Sequence, residues 1–144
     1  MTEHPDKTIL AIDYGNRRIG LAKSDALAMV ASALTTLEVS SVRDALNQIA
    51  EVIGEYRPAE LVIGYPELSD GRKSRKCEEV DRFIEKLASV YPGPITRVDE
   101  AYSSVEAASV IHAHGKRVGK DKKRIDRLAA VIILQRYLDE QHGR

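Results

Sequence analysis

The run ELVIGYP, residues 60–66, sets the tightest limit on the fold. Its centre, Leu61 to Gly64, has no polar face, and it directly follows a stretch in which Val42, Ala45, Leu46, Ile49, Val52 and Ile53 recur at helical spacing. A short strand without a polar face must be covered on both sides, as strands of parallel sheets are. Parallel neighbours need crossover connections, and a helical stretch on either side of ELVIGYP supplies them. The chain is therefore expected to be α/β.

The other elements fit around that strand. Residues 8–13, TILAID, read as a buried strand, Arg18 to Lys23 as its hairpin partner across a turn containing Gly15, and ASALTTLEV, 31–39, as a third extended run. Ser41 and Asp44 mark the start of the first helix, which Arg57-Pro58 stops after Tyr56. Beyond the loop YPELSDGRKS, a second helix from Arg75 to Val90 puts Cys77, Val80, Phe83, Ile84, Leu87 and Val90 on one face and ends at Pro92-Gly93-Pro94. PITRVDE is the last strand. Ser103 and Glu106 fit a capping box for a helix through about His112, and a final helix is expected from about Arg124 to Glu140. These elements predict a mixed five-stranded sheet with helices on both faces, in one domain spanning 1–144.

Composition narrows the class. No apolar run approaches the roughly 20 residues of a membrane-spanning helix, and MTEHPDKT lacks an apolar leader, so a cytoplasmic protein without membrane contact is expected. The single Cys77 excludes an internal disulfide and reads as a core filler. Lys plus Arg and Asp plus Glu both number 22, so charge acts through local patches rather than through a net excess. One patch is Arg72, Lys73, Arg75 and Lys76; the other, between Lys116 and Arg127, has seven basic residues against Asp121 and Asp126.

Carboxylates fall at element ends. Asp13 closes the first strand, Asp99 and Glu100 close the last, and Asp126 is expected in the first turn of the final helix. Each has an ordinary explanation: Asp13 capping its turn, Asp99 and Glu100 solvated, Asp126 complementing a helix dipole. Ligand sites of open α/β sheets nevertheless lie beyond strand ends, where these acids converge. At about 4 Å and an effective dielectric near 20, each like-charge pair costs on the order of 4 kcal/mol, so a proton or a cation must compensate. Oxygen ligands suit Mg²⁺ or Mn²⁺, and two such ions serve phosphodiester hydrolysis.

Four stretches in order, DYGNRRIGLA (13–22), VIGYPELSDG (62–71), VDEAYSSVEA (98–107) and IDRLAAVIIL (125–134), resemble the blocks of the YqgF/RuvX family. The resemblance implies a ribonuclease H-like fold related to the RuvC resolvases. It also implies a metal-dependent nuclease that trims the 5′ end of pre-16S rRNA or resolves Holliday junctions. It carries the catalytic, metal-holding acids onto Asp13, Glu100 and Asp126; Asp99 is kept beside them as a supporting candidate. Two departures stand out: Ala101 replaces the usual Arg after the Asp-Glu pair, and Ser69 replaces the usual Asn before Asp70-Gly71. A bidentate phosphate grip is therefore missing at 101, and Arg17, Arg18, Arg72, Arg75 or Arg124 is expected to replace it. Lys73, Lys122 and Lys123 complete the expected nucleic-acid surface, and Gly15 is expected to let backbone approach a phosphate.

The expected partner is structured RNA or branched DNA, bound by a monomer or a homodimer. Junction resolution requires two sites and hence a symmetric pair. Two rival readings are weighed: an actin-like ATPase, for which 144 residues supply only one of two domains, and a nucleic-acid-binding or ribosome-assembly module that barely cleaves.

Overall fold

The computed structural model describes residues 6–66, 74–99 and 122–143. Its elements are β1 (Ile9–Asp13), β2 (Arg18–Ser24), β3 (Ala31–Glu38), α1 (Val42–Tyr56), β4 (Glu60–Tyr65), α2 (Arg75–Leu87), β5 (Ile95–Asp99) and α3 (Lys122–Gln141). The strands form one five-stranded sheet in the order β3-β2-β1-β4-β5. β2 is antiparallel to β1 and β3, whereas β4 is parallel to β1 and β5. The apolar β4 thus lies between two parallel neighbours, with Leu61, Val62 and Ile63 fully buried, as its composition requires.

Alternation along the strands divides the core in two. Leu10, Ile12, Ile19, Leu21, Leu61 and Ile63 pack with Ala45 and Ile49 of α1 and with Val80, Phe83 and Leu87 of α2. Ile9, Ala11, Ala22, Val62 and Val98 pack with Ala130, Ile133, Leu134 and Leu138 of α3. Helices therefore cover both faces, as expected. Ala11 of β1 and Ala22 of β2 beneath α3 are small, and at Gly20 contact is backbone to backbone: a Cβ there would overlap the carbonyl group of Asp126.

Local signals act where the sequence places them. The Ser41 hydroxyl accepts from the Asp44 N–H at 3.0 Å to cap α1. At the other end Arg57 adopts φ 45° and its N–H reaches the Ile53 carbonyl. Cys77 is fully buried, as its place in the apolar stripe suggests.

Two boundaries differ from expectation. α2 ends at Leu87 rather than Val90, because the chain turns there to let the Tyr91 hydroxyl donate to the Pro58 carbonyl at 2.9 Å, leaving Val90 exposed. α3 begins at Lys122 rather than Arg124, which moves Asp126 beyond the first turn; with no acid in that turn, dipole complementation does not explain it. The helix expected from Ser103 to His112 lies outside the described residues. Among the described residues, no helix is long and apolar enough to cross a membrane.

Candidate active site

Two acids are brought together through one glycine. Ile9 and Ala11 face α3, so alternation puts Asp13, the last residue of β1, on that same face. Asp13 is the cross-strand partner of Gly20. The Asp126 backbone rests on that same glycine, which admits no side chain. Antiparallel partners have Cα atoms about 4.5–5.5 Å apart, so both acids are anchored around one point. Gly20 was the residue that sequence reasoning passed over; its one available signal was a glycine inside a strand pattern, which marks close backbone approach.

The turn between β1 and β2 is equally constrained. A Cβ on Gly15 would stand 2.5 Å from the Arg18 carbonyl oxygen, so the turn itself requires glycine. Beyond it opens a polar cleft of about 370 Å³ lined by Asp13, Tyr14, Gly15, Asn16, Arg17, Arg18, Lys76 and Asp126. Three cations and two carboxylates share this space, a combination suited to an anionic chain held beside hard oxygen ligands.

Arg18 is committed within the cleft. Its Nε donates to Asp126 Oδ2 at 2.7 Å, with the side chains 35% and 21% exposed. Lys76, noted in the sequence only as part of a basic cluster, reaches in from the first turn of α2. Its Nζ donates to the Tyr14 carbonyl at 2.6 Å and lies 5.2 Å from the centre of the Tyr14 ring. That ring stacks on Phe83 with centroids 4.2 Å apart, so the turn is braced against α2. Burial, with the nearby Glu79 charge, pushes the Tyr14 phenol above its ordinary pKa.

The remaining expected residues divide. Arg17 lines the cleft, whereas Arg75, Lys122, Lys123 and Arg124 are exposed and do not line it. Lys123 instead pairs with Glu38 at the end of β3, Nζ to Oε1 2.6 Å, which holds the Glu38 carboxyl below the usual carboxylate range. Along β5, Val98 joins the α3 side while Arg97 donates to Asp81 of α2 at 3.0 Å, so the strand register groups Asp99 with Arg97. Glu100, Ala101, Arg72, Lys73 and Ser69 lie outside the described residues.

Asp13 and Asp126 fit a hard divalent cation by the chemistry of their oxygens. Among the described residues, no group of three or more acids, histidines or cysteines that could hold a metal ion comes together.

Comparisons with known proteins identify the family and the fold. A family model described as "RuvX: Holliday junction resolvase" matches residues 7–140. A protein of Syntrophus aciditrophicus named "Putative pre-16S rRNA nuclease" is 40% identical over 131 residues, covering 91% of this chain and 87% of its own. One of Chloroflexus aurantiacus with the same name is 40% identical over 138 residues, covering 96% and 90%. Among solved structures, Thermus thermophilus RuvC in complex with a Holliday junction substrate superposes with a TM-score of 0.58 at 17% identity, covering 97% of both chains. The fowlpox virus resolvase with Holliday junction DNA gives 0.56 at 12% identity, covering 93% and 98%. These two establish the ribonuclease H-like fold and nothing finer. With the family model spanning nearly the whole sequence and relatives at 40% identity, the chain belongs to the RuvX family of Holliday junction resolvases.

Proposed function

We propose that this chain is a cytoplasmic nuclease that hydrolyses phosphodiester bonds of structured RNA, processing the 5′ end of pre-16S rRNA and leaving a 5′-phosphate and a 3′-hydroxyl. The observation that carries the reading is the convergence of Asp13 and Asp126 on Gly20, inside a cleft that also holds Arg17, Arg18 and Lys76. The name shared by the relatives at 40% identity favours RNA as substrate.

Asp13 and Asp126 would hold Mg²⁺ or Mn²⁺ together with Glu100, with two ions expected. Glu100 is next in sequence after β5, and its assignment as third ligand rests on the family resemblance of the block VDEAYSSVEA. When bound, such ions supply an activated water and stabilise charge on the leaving oxygen. The chain's own part is placement. A rigid buried strand fixes Asp13, a backbone contact fixes Asp126, and the Arg17 and Lys76 cations hold the phosphates on either side of the scissile bond. Lys76 is already oriented by its bond to the Tyr14 carbonyl.

The test is a cleavage assay with Mg²⁺ or Mn²⁺ on a pre-16S rRNA fragment and on a four-way DNA junction. The expected result is cut RNA with a 5′-phosphate, and loss of cutting by at least a thousandfold in a folded Asp13→Asn protein. Preferential cutting of the junction would transfer the reading to DNA resolution by a homodimer. An active, folded Asp13→Asn protein would remove Asp13 from the chemistry, and binding without turnover would leave an assembly module.

A further inference from the structure

An ion pair inside the cleft joins an acid that the nuclease reading assigns to the metal with a cation of the expected nucleic-acid surface. Asp126 is assigned as a metal ligand and Arg18 is one of the arginines open to a phosphate contact, yet the Arg18 Nε donates to Asp126 Oδ2 at 2.7 Å. We propose that Arg18 is an exchange residue: its guanidinium occupies Asp126 until a divalent cation takes the carboxylate, and the displaced guanidinium then turns to the substrate phosphate. This inference rests on the metal-dependent reading above and adds to it a coupling between metal and nucleic acid.

Three observations support the exchange. First, the pair is accessible: the side chains are 35% and 21% exposed, so a cation reaches the carboxylate and the guanidinium finds water when it leaves. Second, one partner is fixed and the other is not. The Asp126 backbone is locked on Gly20, whereas the Arg18 guanidinium ends a long side chain on the cleft wall, where the charge of its cross-strand partner Glu38 also acts on it. When a cation arrives, the guanidinium is therefore the group that moves. Third, the alternative anion lies within the same cleft, because Arg18, Arg17 and Lys76 line it together. A guanidinium suits both partners, since its planar fork matches carboxylate and phosphate alike.

The exchange also gives Arg18 a role that Ala101 cannot serve. A phosphate-gripping guanidinium adjacent to the last-strand acids is absent from the sequence, and Arg18 supplies one from the opposite hairpin. Energetically the two binding events favour each other. Metal binding removes the partner that holds Arg18 back, and phosphate binding removes the competitor for Asp126.

The test measures metal binding directly, without turnover. Mn²⁺ is titrated into the full chain by calorimetry, for the native protein and for Arg18→Gln and Asp126→Asn. Arg18→Gln is expected to bind Mn²⁺ about fivefold more tightly, because its internal competitor is gone, and to bind a structured RNA in Ca²⁺ several-fold more weakly. In the native protein, the Arg18 Nε–H resonance is expected to shift on addition of Mg²⁺ as its bond to Asp126 breaks. Mn²⁺ affinity unchanged or lowered in a folded Arg18→Gln protein, with binding still lost in Asp126→Asn, would overturn the exchange while leaving the metal site standing. Absence of Mn²⁺ binding by the native protein would overturn both.

Discussion

At the scale of single residues, the site depends on a side chain that is missing. Gly20 carries no chemistry, yet it is the point on which Asp13 and Asp126 are both referenced, one by strand pairing and one by backbone contact. A methyl group there would overlap the Asp126 carbonyl, and neither a helix backbone nor a central strand yields cheaply. Gly20→Ala is therefore expected to push α3 off the sheet, destabilising the protein by about 2–3 kcal/mol, at the upper end of what overpacking costs. The loss in cleavage should exceed what the folded fraction explains, because Asp126 moves with the helix. Urea denaturation followed by cleavage under conditions where the variant is fully folded separates the two effects. Full activity in the folded variant would show that the contact does not position the acid. Asp13 itself could be picked out from the sequence, because an acid closing a buried strand is conspicuous in a linear pattern. The bond between Arg18 and Asp126 could not, since 108 residues separate its partners and each has a separate, sufficient explanation on its own element.

At the scale of elements, what could be read beforehand follows from how local each determinant is. β1, β2, β4 and α1 were expected within a residue or two of their observed bounds, because periodicity, caps and the Arg57-Pro58 stop are all short-range signals. The end of α2 was not, because it is set by a distant partner: Tyr91 reaches the Pro58 carbonyl across 33 residues, and the helix stops to allow it. The first described turn of α3 likewise has distant partners. Lys123 is held by Glu38 of β3 and its carbonyl accepts from Thr36, contacts that no local pattern shows. Capping of α1 is the clearest local determinant and gives a clean control. Ser41→Ala removes the acceptor of the Asp44 N–H and is expected to cost about 1 kcal/mol in urea denaturation, with no change in cleavage per folded molecule. A comparable loss of specific activity would mean that α1, on the face away from Asp126, is coupled to the cleft.

At the scale of the whole molecule, the three layers are tied to one another by tyrosines, and this gives the fold a signature in alkaline solution. Tyr65 of β4 donates to Asp81 of α2 at 3.1 Å, and Tyr137 of α3 donates to Glu60 of β4 at 2.6 Å. Desolvation, reinforced by Asp81, pushes the Tyr65 phenol up to about 12. Burial raises Tyr137, Tyr91 and Tyr14 as well, with Glu60 acting on the first two and Glu79 on the third. A phenol whose folded pKa lies above its unfolded value of about 10 keeps its proton longer in the native state. The resulting stabilisation is fully present below pH 10 and is lost as pH rises from there through the folded value. Denaturation midpoints in urea are thus expected to fall from about pH 10 upward. Lysines titrate in the same range, so the decisive comparison is with Tyr65→Phe. This variant lacks the bond to Asp81 and should be about 1 kcal/mol less stable than the native protein at pH 8. It has no phenol to ionise at that position, so the gap should narrow as pH rises to 11. A constant gap across that range would mean that the Tyr65 proton does not contribute to holding β4 against α2.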